Sequence, residues 1–428
     1  MQALIAPLTE LAEFETVLKK RKQETGILQF AGCVNSQKTH MMYALGDGFD
    51  YKIIAVSSEM KAKQIYEEYR FLDSDIYQYP AKDLLFYQAD LRGKYLLKQR
   101  MEVFQAILED RGATIVTSFD GFMDALLPLE LMRERIRNFK VGDVVDFEAI
   151  KKDMVLLGYD REEQIEGPGQ FAVRGGILDI FSPAADRPFR AEFFGDELDT
   201  IGFFDPDTQR RTENTDLVMI LPVGETQPML HPYGIDGLCS DISALIQRQR
   251  RRKNINQALI KTLEQDLEKY QNSMSNPASD RYMAYIYPEM ATAMDYIPEN
   301  AVILLCDQSS LHRRARTRTE EMGLQLDSLL QGGSVAGELC EFVCQWEDFC
   351  DSLTGRTVVY LDSFGGSSYP ETCPPKQLLP MVAKQLPGYG GNLDTAASAS
   401  SRWSSDTVPC SAINSRMLRP FSKCSLCN

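Results

Sequence analysis

The fold of this chain is decided by residues 170–211, QFAVRGGILDIFSPAADRPFRAEFFGDELDTIGFFDPDTQRR. Apolar and polar residues alternate there with a period of two, which is typical of strands that bury one face. In residues 189–194 this alternation separates two sets of three, Phe189, Ala191 and Phe193 on one face and Arg190, Glu192 and Phe194 on the other. Glycine-containing turns separate the strands. The stretch therefore predicts the short strands of an α+β domain.

Three side chains on the polar face stand out as candidates for binding. Arg174 and Arg190 project from neighbouring predicted strands, and Phe194 places a large aromatic ring on an otherwise charged face. Arginine and aromatic residues dominate the energetically important centres of protein–protein interfaces. An alternative stays open at this point: Phe194 packs under a loop and both arginines are solvated, because single exposed apolar residues are common.

The chain on either side of this stretch shows a different pattern. Residues 1–125 alternate helical stripes with apolar strands, predicted at 26–31, 52–56, 75–79 and 113–117. Residues 226–365 return to the same pattern, with buried strands at 302–305 and 358–361, a long polar helix at 244–271 and a packed helix from Tyr282 to Pro298. Such alternation predicts a parallel sheet flanked by helices.

The decisive stretch also carries a family resemblance. Its motifs, in order, are Arg174-Gly175-Gly176, Leu178-Asp179-Ile180-Phe181, Arg190, Phe193-Phe194, Asp196-Glu197, Phe204-Asp205 and Thr208-Gln209-Arg210. In order and spacing they resemble the damage-sensor-binding domain shared by the UvrB excision-repair helicase and the bacterial transcription-repair coupling factors. The segments GYDREEQIEGPGQFAVRG and DPDTQRR make the chain more similar to the coupling factors than to UvrB.

The resemblance implies a fold class and a set of domains. The expected fold is α/β, a P-loop-like parallel sheet domain in two segments with an inserted α+β UvrA-binding domain. The expected boundaries are a first segment at 1–125, the inserted domain at 126–225, a second segment at 226–365, a linker at 366–394 and an atypical tail at 395–428.

The resemblance also implies a function and its residues. By position, Arg174, Arg190 and Phe194 match the residues with which the family contacts its partner UvrA. Full-length members are ATP-dependent DNA translocases that use ATP and magnesium to displace stalled RNA polymerase. Their polymerase-binding and motor domains are expected beyond Thr395, so RNA polymerase and DNA would be partners only through those domains. The expectation is a UvrA-recruiting module of nucleotide excision repair, without a motor of its own.

A second motif lies near the N-terminus. Gly32, Gln37, Lys38 and Thr39 have the spacing of a P-loop, G-x-x-x-x-G-K-[ST], with Gln37 where the second glycine belongs. That glycine allows the backbone to approach the phosphates closely, and glutamine adds a side chain there. A strand-ending acidic pair that could hold magnesium is not found in the sequence. We interpret the motif as a structural relic; the alternative is a weak nucleotide-binding or DNA-dependent ATPase module related to UvrB.

Composition restricts the remaining classes of function. The formal charge of −15 argues against binding of this chain to DNA through many phosphate contacts, which need clustered cations. The basic run at 248–253 reads as a solvated helix face rather than a nucleic-acid site. Ten cysteines at irregular spacing and three histidines predict reduced thiols, with neither a metal site nor catalytic residues, and no cofactor is expected for the chain.

The expected location follows from the apolar content and the start of the chain. No apolar run reaches the roughly 18 residues that a membrane span needs, and residues 1–22 lack the features of a secretory signal. We therefore expect a cytoplasmic protein without membrane contact.

After Thr395 the chain is serine-rich and lacks periodicity, which is typical of a shifted reading frame or truncated gene; the alternative is a disordered natural terminus.

Overall fold

The computed structural model describes most of the chain. The described residues are 8, 14, 28–33, 35–82, 91–272, 274, 276, 278–287, 289–340, 345–364 and 369–380, with the backbone alone at 28, 35–37 and 91–94. The predicted tail at 395–428 and most of the predicted linker at 366–394 lie outside these residues.

The strands and helices of the described residues are numbered here in chain order. The strands are β1 Leu28–Ala31, β2 Tyr51–Val56, β3 Ile76–Tyr79, β4 Ala113–Ser118, β5 Ala125–Leu126, β6 Arg137–Lys140, β7 Asp160–Glu162, β8 Gln170–Arg174, β9 Ile177–Phe181, β10 Phe189–Phe194, β11 Glu197–Phe204, β12 Arg211–Thr215, β13 Leu217–Ile220, β14 Ala291–Thr292, β15 Val302–Cys306, β16 Thr357–Asp362 and β17 Gln377–Pro380. The helices are α1 Asn35–Gly46, α2 Glu59–Tyr69, α3 Leu91–Leu108, α4 Phe119–Met123, α5 Leu129–Arg135, α6 Phe147–Leu156, α7 Gly234–Arg250, α8 Gln257–Gln271, α9 Met283–Ile286, α10 Ala293–Tyr296, α11 Gln308–Gln331 and α12 Trp346–Ser352.

The central sheet has seven parallel strands in the order β17-β1-β16-β15-β2-β4-β3. Strands β1–β4 come from the first part of the chain and β15–β17 from the last part. The two sets interleave, because β15 pairs with β2 while β16 pairs with β1. The predicted α/β fold, a parallel sheet built from two segments with an α+β insertion, is confirmed.

Two apolar layers cover the two faces of the central sheet, as the alternation of side chains along a strand requires. Ile303 and Leu305 of β15 point into a large core that includes Phe104 of α3. Val302 and Leu304 point into a second core on the opposite face, formed with α1 and α2. Because both faces are covered, β15 is buried at every residue.

The chain between β4 and β15 contains a second, separate sheet. Its six strands have the order β12-β11-β10-β9-β8-β7, and every pair is antiparallel except β7 with β8. Helix α6 packs Ile150 and Met154 against one face of this sheet. Asp146 caps the helix by accepting hydrogen bonds from two backbone N–H groups, and Gly158 beyond its end has φ of 87°.

The base of this inserted sheet is tied to the central domain. Strand β6 enters the insertion and β13 leaves it, and the two pair antiparallel. Just beyond β13, the buried Glu225 accepts a forked pair of hydrogen bonds from the buried Arg100 of α3, with Nε–Oε1 at 2.5 Å and Nη2–Oε2 at 3.0 Å. Arg100 also donates to Asp124, at 2.8 Å. The boundaries predicted at residues 125 and 225 stay predictions.

Two predicted helices are wrong in their extent. The long helix predicted at 244–271 is two helices, α7 and α8, because Asn256 begins a new helix by accepting a hydrogen bond from the backbone N–H of Leu259. The packed helix predicted from Tyr282 to Pro298 consists of α9 and α10, separated by β14. Tyr282 and Tyr287 are nonetheless buried, as the packed interpretation requires.

Within the described residues, no helix is both long enough and apolar enough to cross a bilayer. The cysteines in this part of the chain are free thiols, namely Cys33, Cys239, Cys306, Cys340, Cys350 and Cys373.

Replacing Arg100 with methionine is expected to lower the stability strongly. The change leaves Glu225 and Asp124 buried without their guanidinium partner, and breaking a buried ion pair from one side costs roughly 3–5 kcal/mol. The midpoint of urea unfolding measures the loss. Arg70→Met is the matched control, since Arg70 is half-exposed in a surface pair and should cost below about 1 kcal/mol. Equal midpoints for the two variants would contradict the role given to Arg100.

Candidate functional site

The P-loop-like motif lies where its spacing predicts, between β1 and α1. Gly32 follows the strand with φ of 88°, a conformation that glycine adopts without strain. Lys38 and Thr39 follow in α1, and both are buried. Gln37 also belongs to α1, and its side chain lies outside the described part of the structure.

The two groups that would meet a phosphate and a magnesium ion are already engaged. The Lys38 Nζ lies 2.6 Å from Oδ2 of Asp307 and donates a hydrogen bond to Oγ of Ser363, at 2.9 Å. The Thr39 hydroxyl donates to Glu68, at 2.7 Å. A lysine neutralised by a neighbouring carboxylate has no spare charge for a phosphate, so this geometry favours a structural role for the motif.

The electrostatics of Asp307 agree with a stable ion pair. Burial alone would raise its pKa, but the hydrogen bonds from Lys38 and from the backbone N–H of Ser363 outweigh burial and hold the pKa of Asp307 below its usual value. Asp307 has φ of 57°, a left-handed conformation that aspartate tolerates better than most residues. Its carboxylate is therefore held ionised against Lys38.

Two strand-end aspartates were missed by the sequence analysis, which looked only for an acidic pair. Asp307 directly follows β15, and Asp362 ends β16. Asp362 accepts hydrogen bonds from the Gln308 backbone N–H, at 2.9 Å, and from the Tyr369 hydroxyl, at 2.6 Å. A single aspartate after an apolar run is the signal that could have identified both.

Replacing Asp307 with asparagine is expected to destabilise the protein at neutral pH by about 3 kcal/mol, the lower end for a buried pair, because Lys38 loses its counter-ion. Since the folded-state pKa of Asp307 is lowered, the stabilisation is complete above the ordinary carboxyl value of 3.8 and is lost as the pH falls through the lower, folded value. Urea unfolding of both proteins from pH 7 to about pH 2 measures this convergence. The half-exposed Glu67→Gln serves as control, and a constant difference across the range would count against the ion pair.

The inserted sheet presents a polar face centred on one buried carboxylate. Asp179 lies in the middle of β9, directly opposite Arg190 of β10. Arg190 donates from Nε to Oδ1 at 2.6 Å and from Nη2 to Oδ2 at 2.9 Å, the forked arrangement that suits guanidinium and carboxylate. Arg174 of β8 reaches the same carboxylate, with its Nη2 2.5 Å from Oδ2. The two arginines thus converge on Asp179 and leave the cluster with one net positive charge.

The two arginines are not equally available to a partner. Arg190 also donates to Oε1 of Gln209, at 3.1 Å, and its guanidinium lies 4.6 Å from the ring centre of Phe204. Its side chain is 19% exposed, whereas that of Arg174 is 45% exposed. Hydrogen bonding to Asp179 is the main cause that raises the pKa of Arg190. Arg190 therefore anchors the cluster, while Arg174 keeps donors free for an incoming group.

The candidate aromatic residue is fully available. Phe194 ends β10 and is 84% exposed, so it does not pack under a loop. Its strand neighbours Phe189 and Ala191 are buried as the alternation predicts, and Phe193 packs on Phe147 with ring centres 5.0 Å apart. Gly195, with φ of 67°, turns the chain directly after Phe194.

A second exposed apolar residue, separated from Phe194 by Glu197 of β11, was not identified from the sequence. Phe194 pairs with Glu197 of β11, and Glu197 in turn forms an isolated bridge with Val144. Directly paired residues project on the same side of a sheet, and Val144 is 75% exposed. Val144 and Phe194 therefore lie on either side of Glu197. They add two exposed apolar side chains to the face that carries Arg174 and Arg190.

Three arginines of the basic run at 248–253 have acidic or hydroxyl partners among the described residues. Arg248 donates to the Tyr285 hydroxyl at 2.8 Å, Arg250 forms an ion pair with Glu264, and Arg252 lies 2.7 Å from Glu338. Paired charges of this kind fit the solvated-face interpretation.

Comparison with known proteins now identifies the inserted unit. The family model for the UvrB interaction domain matches residues 138–225. This range starts in β6, ends just after β13 and contains the whole six-stranded sheet. The chain therefore carries a UvrB interaction domain.

Similarity extends well beyond that domain. The chain is 25% identical over 333 residues to the transcription-repair-coupling factor of Staphylococcus epidermidis, which covers 77% of this chain and 28% of that protein. It is 22% identical over 337 residues to the factor of Bacillus subtilis, covering 78% and 28%, and 25% identical over 293 residues to that of Staphylococcus haemolyticus, covering 68% and 25%. The chain is thus a homologue of the transcription-repair coupling factors, and the resemblance found in its sequence is confirmed. It spans about 28% of the length of the first of these relatives.

Proposed function

We propose that this chain is a recruiting module that binds UvrA in nucleotide excision repair. The observation that carries the proposal is the cluster of Arg174, Asp179 and Arg190 beside the exposed Phe194, on a UvrB interaction domain. The two arginines are held by a shared carboxylate, so their donors need little ordering on binding. We define the UvrA-binding face as Arg174, Arg190 and Phe194, with Val144 beside them.

The roles within this face differ in the proposal. Phe194 supplies the apolar anchor, since a ring that is exposed in the free protein gains most by entering a pocket of the partner. Arg174 supplies a charge-assisted hydrogen bond. Arg190 keeps Asp179 neutralised and contributes chiefly by positioning the other two groups.

Replacing Phe194 or Arg174 with alanine is expected to weaken UvrA binding by about 2 kcal/mol or more each, which is about 30-fold in Kd. Calorimetric titration of purified UvrA into the full chain measures the loss. Phe71→Ala and Arg316→Ala are matched controls, because Phe71 is 81% exposed and the Arg316 side chain is also 81% exposed, both outside the inserted sheet. Arg190→Glu should abolish binding, and its thermal midpoint must be checked, because Asp179 then faces a like charge.

The proposal fails if the Phe194→Ala variant binds UvrA as tightly as the Phe71→Ala control while both remain folded. Val144→Ala provides an intermediate case, since its smaller side chain should cost about 1 kcal/mol. A loss in Arg190→Glu alone would indicate disruption of the sheet rather than a binding face.

We further propose that the chain itself does not hydrolyse ATP, and that the family's translocation of DNA and displacement of RNA polymerase belong to regions outside the aligned residues. The engagement of Lys38 by Asp307 and Ser363, and of Thr39 by Glu68, supports this view. ATP with magnesium would have to break a buried ion pair before binding.

Titration of ATP and magnesium into the chain is therefore expected to release no binding heat. The same titration of the Asp307→Asn variant provides a sharper comparison, because Lys38 has lost its carboxylate partner there. Saturable heat with the unaltered chain that Lys38→Ala abolishes would instead establish the alternative of a weak nucleotide site.

A further inference from the structure

Arg211 of β12 shares a face of the inserted sheet with Arg174 and Arg190. Arg190 pairs directly with Gly202 of β11. Arg211 pairs with Phe204, two residues further along the same strand. Paired residues project on the same side of a sheet, and so do residues two apart on one strand. The Arg190 guanidinium lies over the Phe204 ring, which agrees with this placement.

The lack of a side chain at Gly202 determines where the Arg211 side chain lies. A Cβ atom at position 202 would be 2.8 Å from Cζ and 3.0 Å from Cδ of Arg211, and closer still to its Nε. These three atoms are the nearest ones to that point. Gly202 does not have a positive φ, so the backbone itself does not require glycine there. The glycine instead makes room for the arginine, which lies flat on the sheet.

Two further contacts hold the Arg211 guanidinium in this position. Its Nη2 donates a hydrogen bond to Oγ1 of Thr200, at 3.0 Å. Its Nη1 lies 3.9 Å from Oε1 of Glu192. Glu192 projects on the same face of β10, between Arg190 and Phe194. Arg211 thus extends from the edge of the sheet toward the middle of the UvrA-binding face.

The Arg211 guanidinium keeps hydrogen-bond donors for an incoming group. Its Nε and Nη1 donate no hydrogen bond to any residue that the structure describes, and the side chain is 33% exposed. Arg190 differs, because its donors are engaged by Asp179 and Gln209. The planar fork of a guanidinium fits a carboxylate best, and such charge-assisted hydrogen bonds are the strong ones. A carboxylate is therefore the group that Arg211 is suited to bind.

We propose that Arg211 is a further UvrA-contact residue and that it binds a carboxylate of UvrA. This inference rests on the proposed function, because it assigns Arg211 to the face that recruits UvrA. Arg190 lies in the middle of that face, and Arg174 and Arg211 reach it from opposite sides. Gly202 is a positioning residue, since it acts only through the arginine above it.

Replacing Arg211 with alanine should weaken the binding of purified UvrA to the full chain roughly 10-fold in calorimetric titration, because one charge-assisted hydrogen bond is lost. Arg187→Ala is the matched control. The Arg187 guanidinium packs on Phe203 and donates to Glu213. Phe203 and Glu213 pair with each other and project on the opposite face from Gly202. This control should bind UvrA like the unaltered chain.

The Gly202→Ala variant tests the position of the guanidinium without removing a charge. Its methyl group would displace the Arg211 side chain, so UvrA binding should fall by a similar factor. Combining Gly202→Ala with Arg211→Ala removes the clash. This double variant should keep the thermal midpoint of the Arg211→Ala variant and bind UvrA equally weakly. A double variant that binds UvrA like the unaltered chain would overturn the proposal.

Salt tests the carboxylate. The ratio of the Kd of Arg211→Ala to that of the unaltered chain should fall as sodium chloride rises from about 0.05 to about 0.3 M, since ions screen a charge pair. A ratio that stays constant would overturn the assigned carboxylate.

The Phe194→Ala variant separates this inference from the proposed function. If Phe194→Ala weakens UvrA binding while Arg211→Ala binds like Arg187→Ala, the contact through Arg211 is overturned and the proposed function stands. If neither Phe194→Ala nor Arg211→Ala weakens binding, the proposed function fails as well.

Discussion

The structure depends on the interleaving of two distant parts of the chain in one parallel sheet. Leu28 of β1 pairs with Val359 of β16, and Val302 of β15 pairs with Lys52 of β2. Neither part can cover its own strands, because without β15 and β16 the strands β1 and β2 would each present an unpaired edge. The sheet therefore forms only when both parts are present, and it holds the two ends of the inserted domain in place. The buried contact of Arg100 with Glu225 fixes the exit from that domain to the same body.

Ion pairs with one buried partner, Lys38 or Asp179, serve two opposite purposes in this chain. At the P-loop-like motif, Asp307 neutralises the charge of Lys38, which under our proposal leaves the motif without a free cation for a phosphate. On the inserted sheet, the Asp179 carboxylate forms ion pairs with both Arg174 and Arg190. One positive charge therefore remains, and both guanidinium groups are held in position. A buried carboxylate needs hydrogen-bonded partners in either case. What differs is whether the number of cations exceeds the number of acids.

Local sequence patterns were sufficient to predict which face of the inserted sheet each side chain occupies and to predict where the P-loop-like motif lies. The period of two assigned Phe189 and Ala191 to the core and Phe194 to the surface. It did not reveal how deeply Arg190 lies, because Phe204 and Gln209 reach it from elements further along the chain.

Other features depend on contacts that no local pattern contains. Asp307 contacts Lys38 across more than two hundred residues of chain, and Val144 and Phe194 lie on either side of Glu197 only because both pair with it. The break between α7 and α8 was missed for a different reason. The polar stripe continues through it, and only the cap at Asn256 marks the new helix.

The nesting of one sheet inside the other sets an order for synthesis on the ribosome. The six strands of the inserted sheet are all translated by Thr215, and the pair that closes its base by Ile220. The central sheet must wait for β17, which ends at Pro380. Contacts across so many residues form late, so the nascent protein can present the proposed UvrA-binding face while the domain that supports it is still incomplete.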